Sequence, residues 1–177
     1  MEIIQLDSIK AYNDLYGLPT FHPLITVVDM NKARKTVNHV KMNYGIYALF
    51  IKHGVNCTLR YGRQKYDYQK GTVVSFAPGQ TVQVDIIDEE QPVDVTGLIF
   101  HPDLIYGTPL AERMERYTFF NYAQSEALHL SDREQELLAG CLHNIEAETE
   151  HPVDTHSREL LLSLIHISEP TRRTPIS

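Results

Sequence analysis

At 177 residues, with 42% apolar and 22% charged side chains, the chain has the make-up of one ordinary globular domain, which excludes a disordered or fibrous polypeptide. Its formal net charge of −7 repels a phosphate backbone, and no Lys/Arg-rich run makes a local exception, so the chain by itself is a poor nucleic-acid binder. No stretch reaches the roughly 18 to 20 continuous apolar residues of a membrane helix.

The N-terminus Met1-Glu2-Ile3-Ile4 lacks the basic and apolar regions of a secretory signal, so a cytoplasmic protein is expected. The two cysteines, Cys57 and Cys141, belong to no C-x-x-C pair and are expected as reduced, small apolar side chains.

In chain order, residues 7–17 predict a short amphipathic helix. Asp7 or Ser8 can cap it, Ile9, Tyr12 and Tyr16 share a face, and Gly17 with Pro19 ends it. From Phe21 the period changes. Leu24–Val28 is short and β-branched, which predicts a strand. Tyr44–Lys52 predicts one strand ending at His53-Gly54, and Thr58–Tyr61 with Lys65–Tyr68 predicts a hairpin around Gly62-Arg63. Thr72–Phe76 runs from Gly71 to the turn pair Pro78-Gly79. Thr81–Ile87 alternates strictly, with Val82, Val84 and Ile86 on one face and Gln83 and Asp85 on the other. An acidic loop, Asp88 to Pro92, precedes a last strand, Val93–Phe100. Short strands with frequent turns and no helices between them imply an antiparallel sandwich or barrel.

After His101-Pro102 the pattern becomes helical. Thr108-Pro109 opens a helix to about Arg116. Ser131-Asp132-Arg133-Glu134 is a capping box. Behind it, Leu137, Leu138, Cys141, Leu142 and Ile145 form one apolar stripe. Such a stripe covers the sheet, and any surplus facing outward is a dimer seam. A further helix is expected from near Asp154, with Leu160, Leu161 and Leu162. Residues 163–177 then run into Pro170 and Pro175, which a helix interior does not tolerate. This last string resembles a translated sequencing adapter, so native sequence is expected to end near Leu162, with 163–177 a non-native tail. The expected divisions are therefore residues 1–104 for the helix and barrel, 105–162 for a helical dimerisation segment, and 163–177 for the tail.

A small β-barrel raises the prospect of metal-dependent chemistry, which needs imidazole and carboxylate converging on one cation. None of the nine histidines forms an H-x-H pair, so neither a metal site nor any other cofactor is expected. No G-x-S-x-G elbow and no Gly-rich phosphate loop occurs either, so no catalytic residue is assigned and the chain is not expected to be an enzyme. What remains is aromatic content in the strands: Tyr44, Tyr47, Phe50, Tyr61, Tyr66, Tyr68, Phe76 and Phe100. With Lys52, Arg60 and Arg63, such side chains can line a cavity for a small polar molecule.

The segment Gly71-Thr72-Val73-Val74-Ser75-Phe76-Ala77-Pro78-Gly79-Gln80, followed after the acidic loop by Gly97-Leu98-Ile99-Phe100-His101-Pro102-Asp103-Leu104, resembles the cupin sensor domain of AraC-family transcription regulators. His22-Pro23-Leu24 with Val27-Val28-Asp29, and Tyr66 to Gly71, resemble the Bacteroidetes-type branch of that family. The resemblance spans about residues 1–162. It implies a mainly β fold, a cupin-like jelly roll or double-stranded β-barrel that holds a small-molecule effector, followed by helices that pair two subunits. It further implies that DNA is read only through a C-terminal helix-turn-helix domain, which this sequence does not contain. Positions matching the ligand-holding strands of the sugar-responsive member are Lys52, Val84, Val95 and Gly97. These are mostly apolar or small, so a sugar is not the expected ligand. Phe50, Lys52, Tyr68, Val84, Val95 and Gly97 are the candidate ligand-binding set, and Leu137, Leu138, Cys141, Leu142 and Ile145 the candidate dimerisation set. The alternatives are a small cupin-type enzyme, an isomerase or metal-dependent oxygenase, and a dimerisation scaffold with a filled interior.

Overall fold

The computed structural model describes residues 1–53, 57–61, 64–66, 71–116, 128–150 and 159. Local chemistry places the first elements. Strand β1 (Ile3–Leu6) leads into helix α1 (Ile9–Tyr16). The Ser8 hydroxyl accepts from the Ala11 N–H at 3.0 Å, satisfying one of the free donors of the first turn. Gly17 leaves the helix at φ 67°, and the Leu18 N–H returns to the Asn13 carbonyl at 2.8 Å. Glycine is needed there twice over, because a Cβ at Gly17 would also lie 2.9 Å from the Arg34 Cβ.

The strands follow as β2 (Ile25–Asp29), a 3-10 turn (Met30–Lys32), β3 (Val40–Tyr44), β4 (Tyr47–Lys52), β5 (Cys57–Tyr61), β6 (Gln64–Tyr66), β7 (Thr72–Phe76), β8 (Thr81–Ile86) and β9 (Val95–Phe100). Then come α2 (Pro102–Ile105), α3 (Pro109–Arg116), β10 (Leu128–His129) and α4 (Asp132–Thr149). The described strands form two five-stranded sheets, ordered β1-β3-β8-β5-β6 and β10-β7-β4-β9-β2. All described pairings are antiparallel except β1 with β3. The fold is thus mostly β, with a long helix near the C-terminus, consistent with a cupin-like fold. The closed barrel is corrected: no pairing among the described strands joins one sheet to the other, and the arrangement is a two-sheet sandwich.

Two further readings of the sequence change. The run Tyr44–Lys52 is not one strand, because the chain turns a corner at Gly45-Ile46 and passes from one sheet to the other. Gly45 sits hard against β1: its N–H donates to the Leu6 carbonyl at 2.8 Å, and a Cβ would fall 2.5 Å from the Asp7 carboxylate. Strand β1 itself was not anticipated, since of its four residues only Leu6 is buried and no alternation shows.

Two cores result. The first lies between the sheets and gathers Ile9, Tyr12, Met42, Ile46, Ala48, Phe50, Val82 and Ile99, among others. The second lies on the outer face of the β4-containing sheet, where Ile25, Leu49, Ile51, Val73, Leu98 and Phe100 meet Leu104, Leu110, Leu138, Leu142 and Ile145 of the helices. Helix α4 carries the anticipated capping box, with the Ser131 N–H donating to the Glu134 carboxylate at 3.0 Å. Its stripe is spent inside the chain. Leu138, Leu142 and Ile145 are buried against the sheet and are not available as a dimer seam in this fold. Leu137 is 61% exposed and Cys141 half-buried, so only these two of the five stay at the surface. The further helix expected near Asp154 falls almost wholly outside the described residues, as does the tail.

Truncating one buried member of that stripe separates packing from display. Leu142→Ala is expected to lower the unfolding free energy by about 2–5 kcal/mol, whereas Leu137→Ala changes it by less than about 0.5 kcal/mol. Urea denaturation of both variants checks this, and equal losses would refute the packing.

Candidate functional site

Between the sheets the first core is incompletely filled, and a cavity of about 70 Å³ remains. Each water-sized volume takes roughly 10–15 Å³ by this measure, so the space accepts a molecule rather than a single solvent. Its depth is lined by Tyr12, Tyr16, Tyr44, Phe50, Lys52, Phe76, Val84 and Val95, all buried. Lys35, Thr36, Val37, Ile86 and Val93, exposed or half-buried, line its mouth.

Five of the lining rings touch in a continuous row. Tyr16 and Tyr12 lie 5.1 Å apart, Tyr12 and Phe50 6.3 Å, Phe50 and Phe76 6.2 Å, and Phe76 and Tyr44 5.3 Å between centroids. Such offset and tilted pairs hold one another in fixed rotamers. The Tyr16 and Tyr44 hydroxyls both point at the Met42 sulfur, at 3.9 Å. The wall is therefore stiff, and that keeps the space from collapsing.

Phe50 takes its place through a glycine. Phe50 and Gly97 face each other across the β4–β9 ladder, and a Cβ on Gly97 would lie 2.6 Å from the Phe50 Cδ1. Gly97 does not line the cavity; it vacates the room the ring occupies. Lys52 follows from strand alternation, two residues after Phe50 on the same face, and is only 2% exposed.

The mouth is bordered by the segment from Ala33 to His39. The Arg34 and Lys35 N–H groups both donate to the Tyr16 carbonyl, at 2.9 and 3.2 Å. The Asn38 Oδ1 accepts from the Ile86 N–H at 2.7 Å, and its amide donates to Glu89 at 2.8 Å. The segment is thus tied to α1 on one side and to β8 and the acidic loop on the other.

Of the six candidate ligand-binding residues, Phe50, Lys52, Val84 and Val95 come together in the lining, Gly97 lies behind Phe50, and Tyr68 lies outside the described residues. Sequence reasoning did not assign Tyr12, Tyr16, Met30, Val37 or Val93 to the site. The apolar face of α1 was legible, but nothing in its spacing says which sheet it covers. The mouth segment has no periodicity at all.

Two of the histidines serve turns. The His101 Nδ1 accepts from the Asp103 N–H at 3.0 Å, capping α2. The buried His22 does the same for the Leu24 N–H at 3.0 Å, and its Nε2 finds no partner among the described residues. Burial lowers the His22 pKa below its ordinary 6.5, because the charged ring would lose its hydration. Among the described residues no group of three or more His, Cys, Asp or Glu side chains could hold a metal ion, and the described cavity lining, with two ammonium groups, does not suit a divalent cation. No described helix is long and apolar enough to cross a membrane.

No protein-family model matches the chain, and no curated protein matches it. Among solved structures, one that overlaps it is Streptomyces albus HEPD with substrate 2-hydroxyethylphosphonate and Fe(II) bound. The identity is 16% and the TM-score 0.27, over 73% of this chain and 29% of that one. This neighbour corrects one expectation. A protein holding substrate and Fe(II) overlaps the chain, so the assignment of the chain as a non-enzyme is withdrawn. The overlap is too slight to transfer a reaction or a metal. The AraC resemblance is met at the level of a cupin-like architecture and no finer.

Two outcomes follow from this geometry. Gly97→Ala forces Phe50 off its place and is expected to cost about 1–3 kcal/mol of stability, read by denaturant titration; an unperturbed variant would refute the ring's placement. For His22, the unfolded chain binds the proton more readily than the folded one. Stability is therefore full above the ordinary value of 6.5 and declines as pH falls below it. His22→Asn keeps an acceptor for the Leu24 N–H without titrating. Its melting temperature is expected to fall less than that of the parent between about pH 7.5 and about pH 5.

Proposed function

We propose that this chain is a small-molecule-binding domain of cupin-like architecture, and that the cavity between its sheets is the binding site. The observation that carries this reading is the stiff row of five rings enclosing a space that also holds a buried ammonium group. A core packed only for stability closes such a space. An apolar pocket with one or two fixed polar groups is the usual anatomy of a ligand site.

Two uses of the site are separated by the fate of the ligand. Released unchanged, the molecule is an effector, and the chain is the sensing part of a transcription regulator whose DNA contacts come through an attached helix-turn-helix domain and whose subunits pair. The resemblance of residues 71–80 and 97–104 to AraC-family sensors supports that use. Converted, the molecule is a substrate, and the chain is a cupin-type enzyme.

Binding itself is tested first. Amide chemical shifts of the isotopically labelled chain, titrated with indole, benzamide, benzoate and hexanoate, are expected to move at the lining residues. Val93→Trp, which fills the mouth, abolishes those shifts and leaves the circular dichroism spectrum unchanged. Shifts confined to other surfaces would overturn the assignment of the cavity.

A further inference from the structure

We infer that the cavity takes a short amphiphile tail first: an apolar chain of about five or six carbons lies inside, and its polar head stays in water at the mouth. The inference rests on the cavity being a binding site and goes beyond it by fixing the ligand's class and its direction of entry. Its basis is the division of the described lining into an apolar depth and a polar rim.

At depth, the buried side chains of Phe50, Phe76, Val84 and Val95 offer a ligand only carbon. The buried polar residues among those described are Asn13, His22, Thr26, Lys52, Thr72 and Thr149, and of these only Lys52 belongs to the lining. Lys52 enters on a four-carbon apolar stem and has an interaction of its own within the protein. The Tyr16 and Tyr44 hydroxyls are turned to the Met42 sulfur. A polar group carried to this depth would exchange its water for walls made chiefly of carbon, which is unfavourable.

The rim differs. Lys35 and Thr36 are exposed there, beside the half-buried Val37, Ile86 and Val93. Its backbone is fixed at both ends, by the bonds of Arg34 and Lys35 to the Tyr16 carbonyl and by Asn38 on the Ile86 N–H. A head group lodged at this rim keeps its hydration, so hydroxyl, amide and carboxylate heads serve alike. Selection then lies in the tail.

The length of that tail follows from the space. At roughly 10–15 Å³ for each water-sized unit, the cavity of about 70 Å³ admits about five or six units, and a chain carbon is close to water in bulk. The continuous row of rings from Tyr16 to Tyr44 gives the chain a wall to lie along. Each methylene that leaves water for this wall is expected to tighten binding about fourfold.

Titration of the isotopically labelled 177-residue chain with 1-pentanol, 1,5-pentanediol, pentanamide and pentanoate, followed by NMR, tests the class and the direction. The diol must carry one hydroxyl to the depth and is expected to bind at least about tenfold more weakly than the alcohol. Alcohol, amide and acid are expected to agree within about fivefold, since their heads remain in water. In the 1-pentanol complex the terminal methyl is expected to give intermolecular NOEs to the Phe50 and Phe76 rings, and the hydroxymethyl group to Val37. A diol as tight as the alcohol, a wider spread among the three heads, or the reverse NOE pattern would overturn tail-first entry and leave the cavity as a site. Val84→Thr sets a hydroxyl at depth and is expected to narrow the gap between diol and alcohol; an unchanged gap would also overturn it. Absence of binding by all four compounds would remove the binding site itself. Should Val84→Thr fail to fold, the comparisons on the unaltered chain still decide.

Discussion

Strand β4 is covered on both faces, and the rest of the molecule is arranged around that constraint. Its residues alternate between two cores: Ala48 and Phe50 face the other sheet, and Leu49 and Ile51 face the helices. Because side-chain direction reverses at every residue, a slip of one place would exchange the two sets. Lys52 would then stand under helix α4, and Ile51 would enter the cavity. The pairings of β4 with both β7 and β9 exclude that slip. One register thus decides at once where the helices pack and which charge lies inside.

That double burial also accounts for what the amino-acid sequence discloses. A strand covered on one side alternates plainly, as Val82, Val84 and Ile86 do in β8, and such strands are legible. A strand covered on both sides is a continuous apolar run. The run from Tyr44 to Lys52 looks uniform for that reason, and the corner at Gly45 is hidden within it. The glycine was the available signal, since a backbone that must approach Leu6 and Asp7 so closely has no room for a side chain. The stripe on α4 shows the converse limit. Leu138, Leu142 and Ile145 mark an apolar face unambiguously, but periodicity does not distinguish a face that meets its own sheet from one that meets another subunit. Only the position of the sheet does, and α4 lies against it.

The cavity was legible to the extent that it is built from strands. Phe50, Lys52, Val84 and Val95 are reached by counting along alternating positions, and the structure brings those four into one lining. The remaining walls come from tertiary placement. Tyr12 and Tyr16 arrive because α1 is laid across the core, and Val37 arrives because Asn38 fastens an irregular segment to the backbone of β8. Gly97 carries a different kind of information: its importance is to the ring opposite it rather than to anything within the cavity. A small residue paired with a large one across a ladder is visible only once the register is known.

The two cores are joined by the strands they share. Strands β4 and β9 each contribute to both, with Phe50, Val95 and Ile99 on the inner side and Leu49, Ile51, Leu98 and Phe100 on the outer. A molecule that merely fills the cavity stabilises the fold by mass action and leaves its shape unchanged. A molecule that favours a different position of Phe50 does more, since that ring is locked between Gly97 behind and Tyr12 and Phe76 beside it. Displacing it strains the β4 backbone, whose opposite face shares the outer core with Leu138, Leu142 and Ile145 of α4. Close-packed layers answer such strain by changing arrangement rather than by yielding gradually. A ligand of the cavity would therefore be felt in the helical layer only if its affinity differed between positions of Phe50.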